Sequence, residues 1–176
     1  MRMPIVPVKA RRCTLLLALC VCILAASIFW PAIGTFGWHV AHKAKRDYAG
    51  YQIAVPPEFI ARQSPVELKL IRARTVFSPD LFQISMVTFG RVGSEIDLMR
   101  FESVVAKESE HAGSTSPYIF RTAIGETPLA CRQKKLPESK NWNVLCLSAV
   151  GLSVSYVGDF DGIRDFHAIL ERTRKD

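Results

Sequence analysis

The sequence predicts an α+β protein in which an N-terminal transmembrane helix is followed by one mostly antiparallel sheet flanked by helices. Three observations support this prediction. Residues 13–42 contain no Asp, Glu, Lys or Arg, which is typical of a membrane segment. After residue 47, β-rich segments separated by short turn signals predict hairpins. Two amphipathic helical patterns interrupt and end these segments, and this order of strands, helix, strands and helix is typical of layered α+β domains.

The uncharged run predicts a helix that spans the membrane over residues 13–33. A bilayer core of about 30 Å requires about 20 apolar residues in a helix, and the segment from Cys13 to Ile33 supplies that length. Basic residues flank the run, with four before it and three after it: Arg2, Lys9, Arg11 and Arg12, then Lys43, Lys45 and Arg46. Together with the charged amino terminus, this count favours a cytoplasmic N-terminus.

We therefore predict a single-pass protein of the cytoplasmic (inner) membrane. Residues 1–12 form a basic cytoplasmic N-terminus, residues 34–47 a juxtamembrane linker, and residues 48–176 one domain in the periplasm. The alternative is a cleavable signal peptide with its apolar core at Leu15–Ala26. Bulky residues follow that core and favour a retained anchor: Ile28, Phe29 and Trp30. Both alternatives place the domain outside the cytoplasm.

The net charge of +7 belongs to the N-terminal segment. All 16 acidic residues lie at or after Asp47, and so do 16 of the 23 basic residues. The domain is therefore formally neutral, and it lacks the basic excess by which nucleic-acid-binding domains attract phosphates. We predict no nucleic-acid partner.

Of five cysteines, only Cys131 and Cys146 lie in the domain. Between them, Leu-Pro-Glu-Ser-Lys-Asn is a turn signal that joins two β-rich runs. If the hairpin loop is Pro137–Lys140, counting outward from Leu136 and Asn141 places the two cysteines directly opposite each other. Directly opposed residues are close enough for a disulfide, and we predict one. The alternative is a pair of buried free thiols. A disulfide would indicate an oxidising compartment.

The first half of the domain predicts three strands and a helix. The strands are Tyr48–Val55, Val66–Phe77 and Leu81–Phe89. The first strand ends at Pro56 and Pro57, because proline cannot donate to a sheet ladder. Ser94 is the predicted N-cap of a helix that ends at His111. The apolar stripe of that helix consists of Leu98, Phe101 and Val105.

The second half predicts further strands and a C-terminal helix. The strands are Tyr118–Ile124, Thr127–Lys135 and Trp142–Ala149, and Gly151–Val157 either continues the last one or forms a new strand. Asp159 or Asp161 caps the final helix. Its buried stripe consists of Ile163, Phe166, Ile169 and Leu170. Basic residues suit its C-terminal end, where the helix dipole favours positive charge: Arg172, Arg174 and Lys175.

Several segments resemble the PsbP-like fold, whose members include the DcrB-like periplasmic proteins. YAGYQIAVPPEF is similar to the entry motif of that fold, and DLFQISMVTFG to the strand that follows. The helix around residues 98–105 and the later segments GETPLACRQ, WNVLCLSAVGLSVSYVGD and FHAIL also match in order. The resemblance covers residues 48–174. It implies a sheet flanked by helices and a non-enzymatic binding or accessory role, with no catalytic residues and no specific function.

No catalytic, cofactor-binding or metal-binding motif stands out in the sequence. His39 and His42 are three residues apart, which could place both on one helical face. Because no carboxylate lies nearby, we expect interfacial residues rather than a metal site. His167 and Glu171 are spaced as a solvated pair on the surface of the last helix.

For two groups of charged residues, we favour a role in the fold over a binding site. Asp159 and Asp161 could suggest a calcium site, but helix capping is the favoured interpretation. Three basic residues predict a basic edge on the cysteine hairpin, and their charge would protect an edge strand from aggregation: Arg132, Lys134 and Lys135. The alternative is that they contact an anionic lipid or an acidic partner.

We expect a non-enzymatic, membrane-anchored interaction or accessory module in the periplasm, such as an immunity protein or a subunit of an envelope complex. A short tether and one neutral domain without a recognisable catalytic motif support this expectation. Its partners would be the cytoplasmic membrane, through the N-terminal helix, and a protein of the envelope, and no cofactor is expected. One alternative is a domain that binds a small apolar ligand between sheet and helix. Another is an envelope hydrolase with a site assembled from scattered residues.

Overall fold

The structure, a computed structural model, describes residues 8–42, 44–72, 85–92, 97–111, 117–137 and 139–175, without the side chains at 8–14, 27, 28, 30, 31 and 108–111. The described residues form three helices: α1 (Val8–His42), α2 (Leu98–His111) and α3 (Gly162–Arg172). They also form ten strands: β1 (Lys45–Tyr48), β2 (Tyr51–Ala54), β3 (Phe59–Gln63), β4 (Glu67–Arg72), β5 (Met86–Arg91), β6 (Tyr118–Ile124), β7 (Thr127–Lys135), β8 (Trp142–Leu147), β9 (Leu152–Gly158) and β10 (Arg174–Lys175).

Seven strands form one large antiparallel sheet in the order β3-β4-β5-β9-β8-β7-β6. The strand β9 pairs with β5 and so joins the first three strands to the last four. Because side chains alternate between the faces of a strand, one face carries the large buried residues: Leu68, Leu70, Val87, Phe89, Val144, Val154 and Tyr156. The predicted α+β fold with a mostly antiparallel sheet is confirmed.

A second sheet has three strands in the order β1-β2-β10. Its hairpin turns at Ala49 and Gly50, whose φ angles are 57° and 80°. Two successive positive φ angles are typical of a type I′ turn, which matches the twist of the strands that it joins. The single strand predicted over Tyr48–Val55 is therefore wrong, because the chain reverses here and Tyr48 pairs with Tyr51 across the turn.

The small sheet and α3 cover one face of the large sheet and enclose the core. The hydroxyls of Tyr51 and Thr127 form a buried hydrogen bond of 2.8 Å. The hydroxyl of Tyr48 donates to the carbonyl of Val66 at 2.6 Å, and burial raises the pKa of Tyr48. The two tyrosines therefore tie the small sheet to the large one.

The helix α3 presents the predicted stripe to the core. Its buried apolar residues are Ile163, Phe166, Ile169 and Leu170, as predicted. The carboxylate of Asp159 accepts a hydrogen bond of 2.9 Å from the backbone N–H of Gly162, whereas Asp161 makes no capping bond with its side chain. The helix ends at Arg172, and the next basic residues, Arg174 and Lys175, pair with β2 instead of extending the helix.

The helix α2 lies against β6 and β7. Its N-terminus is capped by Asp97, whose carboxylate accepts a hydrogen bond of 3.1 Å from the N–H of Arg100. The predicted cap, Ser94, lies outside the described residues. Within the predicted stripe, Val105 is fully buried, and the half-buried members are Leu98 and Phe101.

An ion pair attaches α2 to the edge strand β6. Arg121 donates two hydrogen bonds, of 2.9 and 2.8 Å, to the carboxylate of Glu102. These bonds, with the positive charge of Arg121, hold the pKa of Glu102 below its ordinary value. The same contact raises the pKa of Arg121.

Cys131 and Cys146 form a disulfide between β7 and β8. They are register partners, their Cα atoms are 4.0 Å apart, and both side chains are fully buried. The N–H of Leu136 donates to the carbonyl of Asn141 at the end of the hairpin. The predicted disulfide and the register from which it was derived are confirmed.

The position of β7 corrects one interpretation of the sequence. β7 lies between β6 and β8, because Gly125 (φ 54°) allows a two-residue turn that pairs β6 with β7. The basic residues of β7 therefore do not protect a sheet edge: Arg132, Lys134 and Lys135. The strands at the two edges of the described large sheet are β3 and β6.

Two predicted strands fall partly outside the described residues, and one strand was missed. Residues 73–77 of the predicted segment Val66–Phe77 and residues 81–84 of Leu81–Phe89 lie outside the described residues. The strand β3 was not predicted. It begins two residues after Pro57, and its short sequence FIARQ lacks a clear alternation.

The helix α1 extends further toward the domain than the predicted span. Residues 34–42 of the predicted linker are helical, and residues 45–48 form β1. The carbonyl of Ala44 accepts a hydrogen bond of 3.0 Å from the N–H of Val55. The helix therefore leads into the small sheet within a few residues, and the predicted linker is replaced by ordered structure.

Among the described residues, no helix combines the length and the apolar character that crossing a membrane requires. The span predicted over residues 13–33 falls partly on side chains outside that set, at positions 13, 14, 27, 28, 30 and 31. Large apolar side chains are exposed along the described part of α1, including Leu15, Leu17, Leu19, Val21, Ile23, Phe29, Ile33 and Phe36. Cys20 and Cys22 are free and exposed on the same helix.

Candidate binding groove

A groove of about 1110 Å³ lies between the C-terminal part of α1 and the helix α3. Each helix lines it with residues that are three or four positions apart. They are Ala32, Thr35, Phe36 and His39 from α1, and Asp165, Ala168, Ile169 and Arg172 from α3. Residues with this spacing share one face of a helix, so each helix turns one face toward the groove.

The floor of the groove is the segment that connects β2 to β3. It consists of Ala54, Val55, Pro56, Pro57 and Glu58, with Ala44 and Lys45 beside it. Proline has no N–H group, so the two consecutive prolines offer apolar rings without a backbone donor. Seven of the other 13 lining residues are apolar: four alanines, one valine, one isoleucine and one phenylalanine. This lining suits an apolar ligand.

Three residues attach the C-terminal part of α1 to the domain. The Nε2 atom of His39 lies 3.0 Å from the carbonyl oxygen of Pro56 and 3.1 Å from that of Phe59. Because carbonyls only accept hydrogen bonds, Nε2 carries the proton and donates. Thr35 is buried, and Trp38 packs against the hydrophobic core. The groove therefore has one wall fixed to its floor by hydrogen bonds.

Trp38 is also the centre of an aromatic and basic cluster. Its ring meets the ring of His39 edge-on and stacks on His42, with centroids 5.0 Å apart in both pairs. The guanidinium of Arg46 lies 5.0 Å from the Trp38 ring centroid, which is cation–π geometry. Nδ1 of His42 lies 3.0 Å from the carbonyl oxygen of Trp38. The two histidine side chains thus contact Trp38 and backbone carbonyls, and they are not arranged around a common ligand.

One end of the groove is basic. Lys45 pairs with Ala54 in the small sheet, and its ammonium donates to the side chain of Gln52 at 2.7 Å. Gln52 is also the register partner of Arg174 in β10. Arg172 is the last residue of α3, two residues before Arg174, and it also lines the groove. We call Lys45 and Arg172 the basic end of the groove.

The opposite end opens along α1 and is called the mouth. Ala32 precedes His39 by seven residues, which is about 10 Å along a helix axis. Phe36 is 71% exposed in this part of the helix. On the α3 side, Asp165 forms an ion pair of 3.3 Å with Arg72. The mouth is therefore apolar on its α1 side, and the carboxylate of Asp165 already has a cationic partner.

The predicted site residues lie elsewhere in the fold. The disulfide partners Cys131 and Cys146 belong to the large sheet and do not line the groove. His167 is not a fully solvated partner of Glu171, because its ring centroid lies 5.4 Å from that of Phe120 and 5.7 Å from that of Phe166. It contributes to packing between α3 and the sheet.

Asp159 is a partly buried residue of the turn at the start of α3. Besides capping Gly162, it receives hydrogen bonds from the hydroxyl of Tyr156, at 2.8 Å to its carbonyl and 3.2 Å to its carboxylate. Burial raises the pKa of Tyr156, and the charge of Asp159 acts in the same direction. The hydroxyl therefore stays protonated and donates. The capping interpretation is confirmed for Asp159.

The groove was not predicted from the sequence. Its lining comes from α1, the small sheet, the connection to β3 and α3, and only long-range packing brings these segments together. Ile169 did belong to the predicted stripe of α3. The face of α1 that lines the groove could not be distinguished in the sequence, because the surrounding run is apolar on all sides of the helix.

Neither a metal-binding cluster among the described residues nor a known relative assigns a function to the groove. The part of the chain that the structure describes contains no group of three or more His, Cys, Asp or Glu residues arranged to hold a metal ion. No protein-family model, no curated protein and no solved structure matches this chain. The resemblance of residues 48–174 to the PsbP-like fold stays a prediction.

Proposed function

We propose that this protein is a membrane-anchored, extracytoplasmic interaction or accessory module whose domain is held at the membrane surface by α1. The observation that carries the proposal is the attachment of α1 to the domain. His39 donates to the carbonyls of Pro56 and Phe59, and Trp38 packs against the hydrophobic core of the domain. A domain fixed in this way keeps one orientation toward the membrane, which suits a docking role beside a membrane assembly.

Sequence and surface together support insertion of α1 into the membrane. Residues 13–42 carry no Asp, Glu, Lys or Arg, and the large apolar side chains that are described in α1 are exposed. A contiguous apolar surface of this kind requires a membrane or a partner to cover it. At the domain end, Trp38 and Arg46 form a pair of the type that favours the membrane–water interface.

The disulfide supports an oxidising compartment for the domain. Disulfides persist in the periplasm and outside the cell but are rare in the cytosol. Cys131 and Cys146 are bonded to each other inside the core. With the basic N-terminal residues, this supports a domain on the periplasmic side of the inner membrane.

Exposed aromatic residues support a protein partner. Phe160 is 60% exposed, and its ring centroid lies 5.3 Å from that of Trp142. Tyr118 is also exposed and stacks with Phe120. Aromatic side chains are enriched in protein–protein interfaces and often dominate their binding energy. Either an immunity protein or a subunit of an envelope complex would use such a surface.

The groove favours a second candidate function, the binding of an apolar ligand. This ligand was expected between sheet and helix, whereas the groove lies between two helices over the small sheet. The two functions are compatible, because the groove and the aromatic pair at Phe160 share no lining residue.

Membrane fractionation and site-specific crosslinking in bacterial cells test the proposal. We expect the full chain to remain in membranes after a carbonate wash, and a variant without residues 13–33 to become soluble. A photoreactive amino acid at Phe160 should give one defined protein adduct, and the same group at the exposed control position Arg164 should not. Extraction of the full chain by carbonate, or identical patterns at both positions, would contradict the proposal.

A further inference from the structure

We propose that the groove binds an anionic phospholipid of the surrounding bilayer, with the phosphate at the basic end and an acyl chain along the floor toward the mouth. This inference rests on the proposed function, because the lipid comes from the membrane in which α1 lies. It goes further in that it assigns a ligand class to a specific site.

An apolar path leads from the mouth into the groove. The mouth is formed by Ala32 and Phe36 of α1, at the end of the predicted span over residues 13–33. Exposed Phe36 and Ile33 continue the apolar flank of the helix at this point. Beyond the mouth, the path is lined by Ile169 and Ala168 on one side and by the floor prolines on the other. An acyl chain that follows α1 out of the bilayer therefore stays in apolar surroundings.

The basic end supplies the partner for an anionic head group. Lys45 and Arg172 both line the groove, Lys45 as the register partner of Ala54 in β2 and Arg172 as the last residue of α3. The hydrogen bond from Lys45 to Gln52 is to a neutral amide, so the ammonium keeps its charge for a ligand. A lysine and an arginine together are typical of phosphate recognition.

The acidic residues of the groove do not cancel this preference. Asp165 is paired with Arg72 at 3.3 Å, which leaves Glu58 as the other carboxylate of the lining. Within the lining, Lys45 and Arg172 balance Asp165 and Glu58 in number. Arg72, the partner of Asp165, adds one further cation, so these five residues together carry one excess positive charge. A ligand with one long apolar part and one anionic end matches the groove better than an uncharged apolar molecule does.

Photolabelling of the full chain in lipid vesicles tests the inference. The protein is reconstituted into phosphatidylcholine vesicles that contain a small amount of phosphatidylglycerol with a photoreactive group in its acyl chain. After irradiation, mass spectrometry locates the lipid adducts. We expect adducts on residues 13–33, which report membrane insertion, and on residues 54–58 and 165–172, which report the groove. A photoreactive phosphatidylcholine should label residues 13–33 equally and the groove much less.

Matched variants separate the groove from the anchor. The double variant Lys45→Gln/Arg172→Gln should reduce adducts on residues 54–58 by about tenfold, as expected when charge-assisted hydrogen bonds are lost. The control Arg62→Gln/Arg164→Gln removes the same charge from exposed positions outside the groove and should leave labelling unchanged. Ala168→Trp, which fills the groove, should remove groove labelling, with thermal unfolding used to confirm that each variant is folded.

Several outcomes would overturn the inference, and they differ from failure of the anchor. Adducts confined to residues 13–33 would leave the anchor intact and exclude the groove as a lipid site. Adducts in neither region would contradict the anchor and the lipid site together. Equal groove labelling by both lipids, or no effect of the double variant, would contradict an anionic ligand. Competition by added inorganic phosphate, or protein–protein adducts at residues 54–58, would assign the groove to another ligand.

Discussion

At the residue scale, the disulfide makes the most direct contribution to stability. Cys131 and Cys146 close a loop over a separation of 15 residues, and the chain-entropy model gives about 3 kcal/mol for a loop of that length. We expect Cys131→Ala/Cys146→Ala to lower the free energy of unfolding by about that amount in urea titrations. The matched control, Cys20→Ala/Cys22→Ala, removes two free cysteines from α1. An equal effect of both pairs would contradict the structural role of the disulfide.

A second prediction at this scale concerns the close approach of Tyr156 to Gly162. A Cβ atom added at Gly162 would overlap the Tyr156 hydroxyl oxygen, and it would lie 2.8 Å from the Asp159 carboxylate. We expect Gly162→Ala to destabilise the protein by about 1–3 kcal/mol, as overpacked cores do. A Cβ atom at Gly34 would meet nothing within 4 Å, so Gly34→Ala serves as the control.

Removing the hydroxyl tests the cause of that destabilisation. In a double-mutant cycle, Tyr156→Phe should reduce the cost of Gly162→Ala, because the overlapping atom is gone. The free energies of unfolding of the two single variants and the double variant give the coupling. Simple additivity would mean that the overlap with Tyr156 is not the source of the effect.

The ion pair between Glu102 and Arg121 predicts a specific pH dependence. Its hydrogen bonds lower the pKa of Glu102 from the ordinary value of 4.5. A carboxyl group whose pKa is lower in the folded than in the unfolded protein stabilises the fold at pH values above its unfolded-state pKa. That stabilisation is lost as the pH falls through its folded-state pKa. The melting temperature of Glu102→Gln should thus be lower than that of the wild type near pH 7, and the two should converge once the pH has fallen below the lowered pKa of Glu102. A difference that persists in acid would contradict this account.

At the scale of elements, the connection between α1 and the domain depends on one histidine. His39 donates to the carbonyls of Pro56 and Phe59, whereas among the described residues the hydrogen bond and ring contact of His42 are with Trp38 of its own helix. We expect His39→Ala to destabilise the full chain in detergent by about 1 kcal/mol and to increase the mobility of a spin label at Val40. His42→Ala should change both much less, and equal effects would show that His39 does not fix the helix.

Elements whose pairing is local were predictable from the sequence. The stripe of α3 and the hairpin of β7 and β8 follow from periodicity and from one turn, so Ile169 and Cys131 were placed correctly. The hairpin of β1 and β2 was missed because its turn uses a positive φ at Ala49, which sequence patterns do not reveal. The interior position of β7 depends on pairing with β6.

The groove could not be predicted from the sequence because it also depends on long-range contacts. Its mouth and floor come from residues far apart in the chain, such as Ala32 and Pro57. Their proximity depends on how α1 meets the small sheet. Periodicity within one segment contains no information about that contact. A long-range hydrogen bond such as that of His39 to Phe59 becomes visible only in three dimensions.

At the scale of the whole molecule, charge and topology agree with a tethered module. The chain has a net charge of +7, with no acidic residue before Asp47. The uncharged run thus separates a basic N-terminus from a neutral domain. Because α1 continues to His42 and its end is bonded to the domain, the proposed anchor and the groove form one unit. Lipid in the groove would then sit at a fixed height above the membrane surface.

The location of the C-terminus tests the central claim most directly. Alkaline phosphatase, which is active only in the periplasm, and a fluorescent protein that matures in the cytosol are each fused after Asp176 and expressed in a bacterial host. The account predicts an active phosphatase fusion, a dark fluorescent fusion, and an oxidised Cys131–Cys146 pair in the intact cells. A bright fluorescent fusion with an inactive phosphatase would contradict the proposed topology and, with it, the tethered periplasmic module.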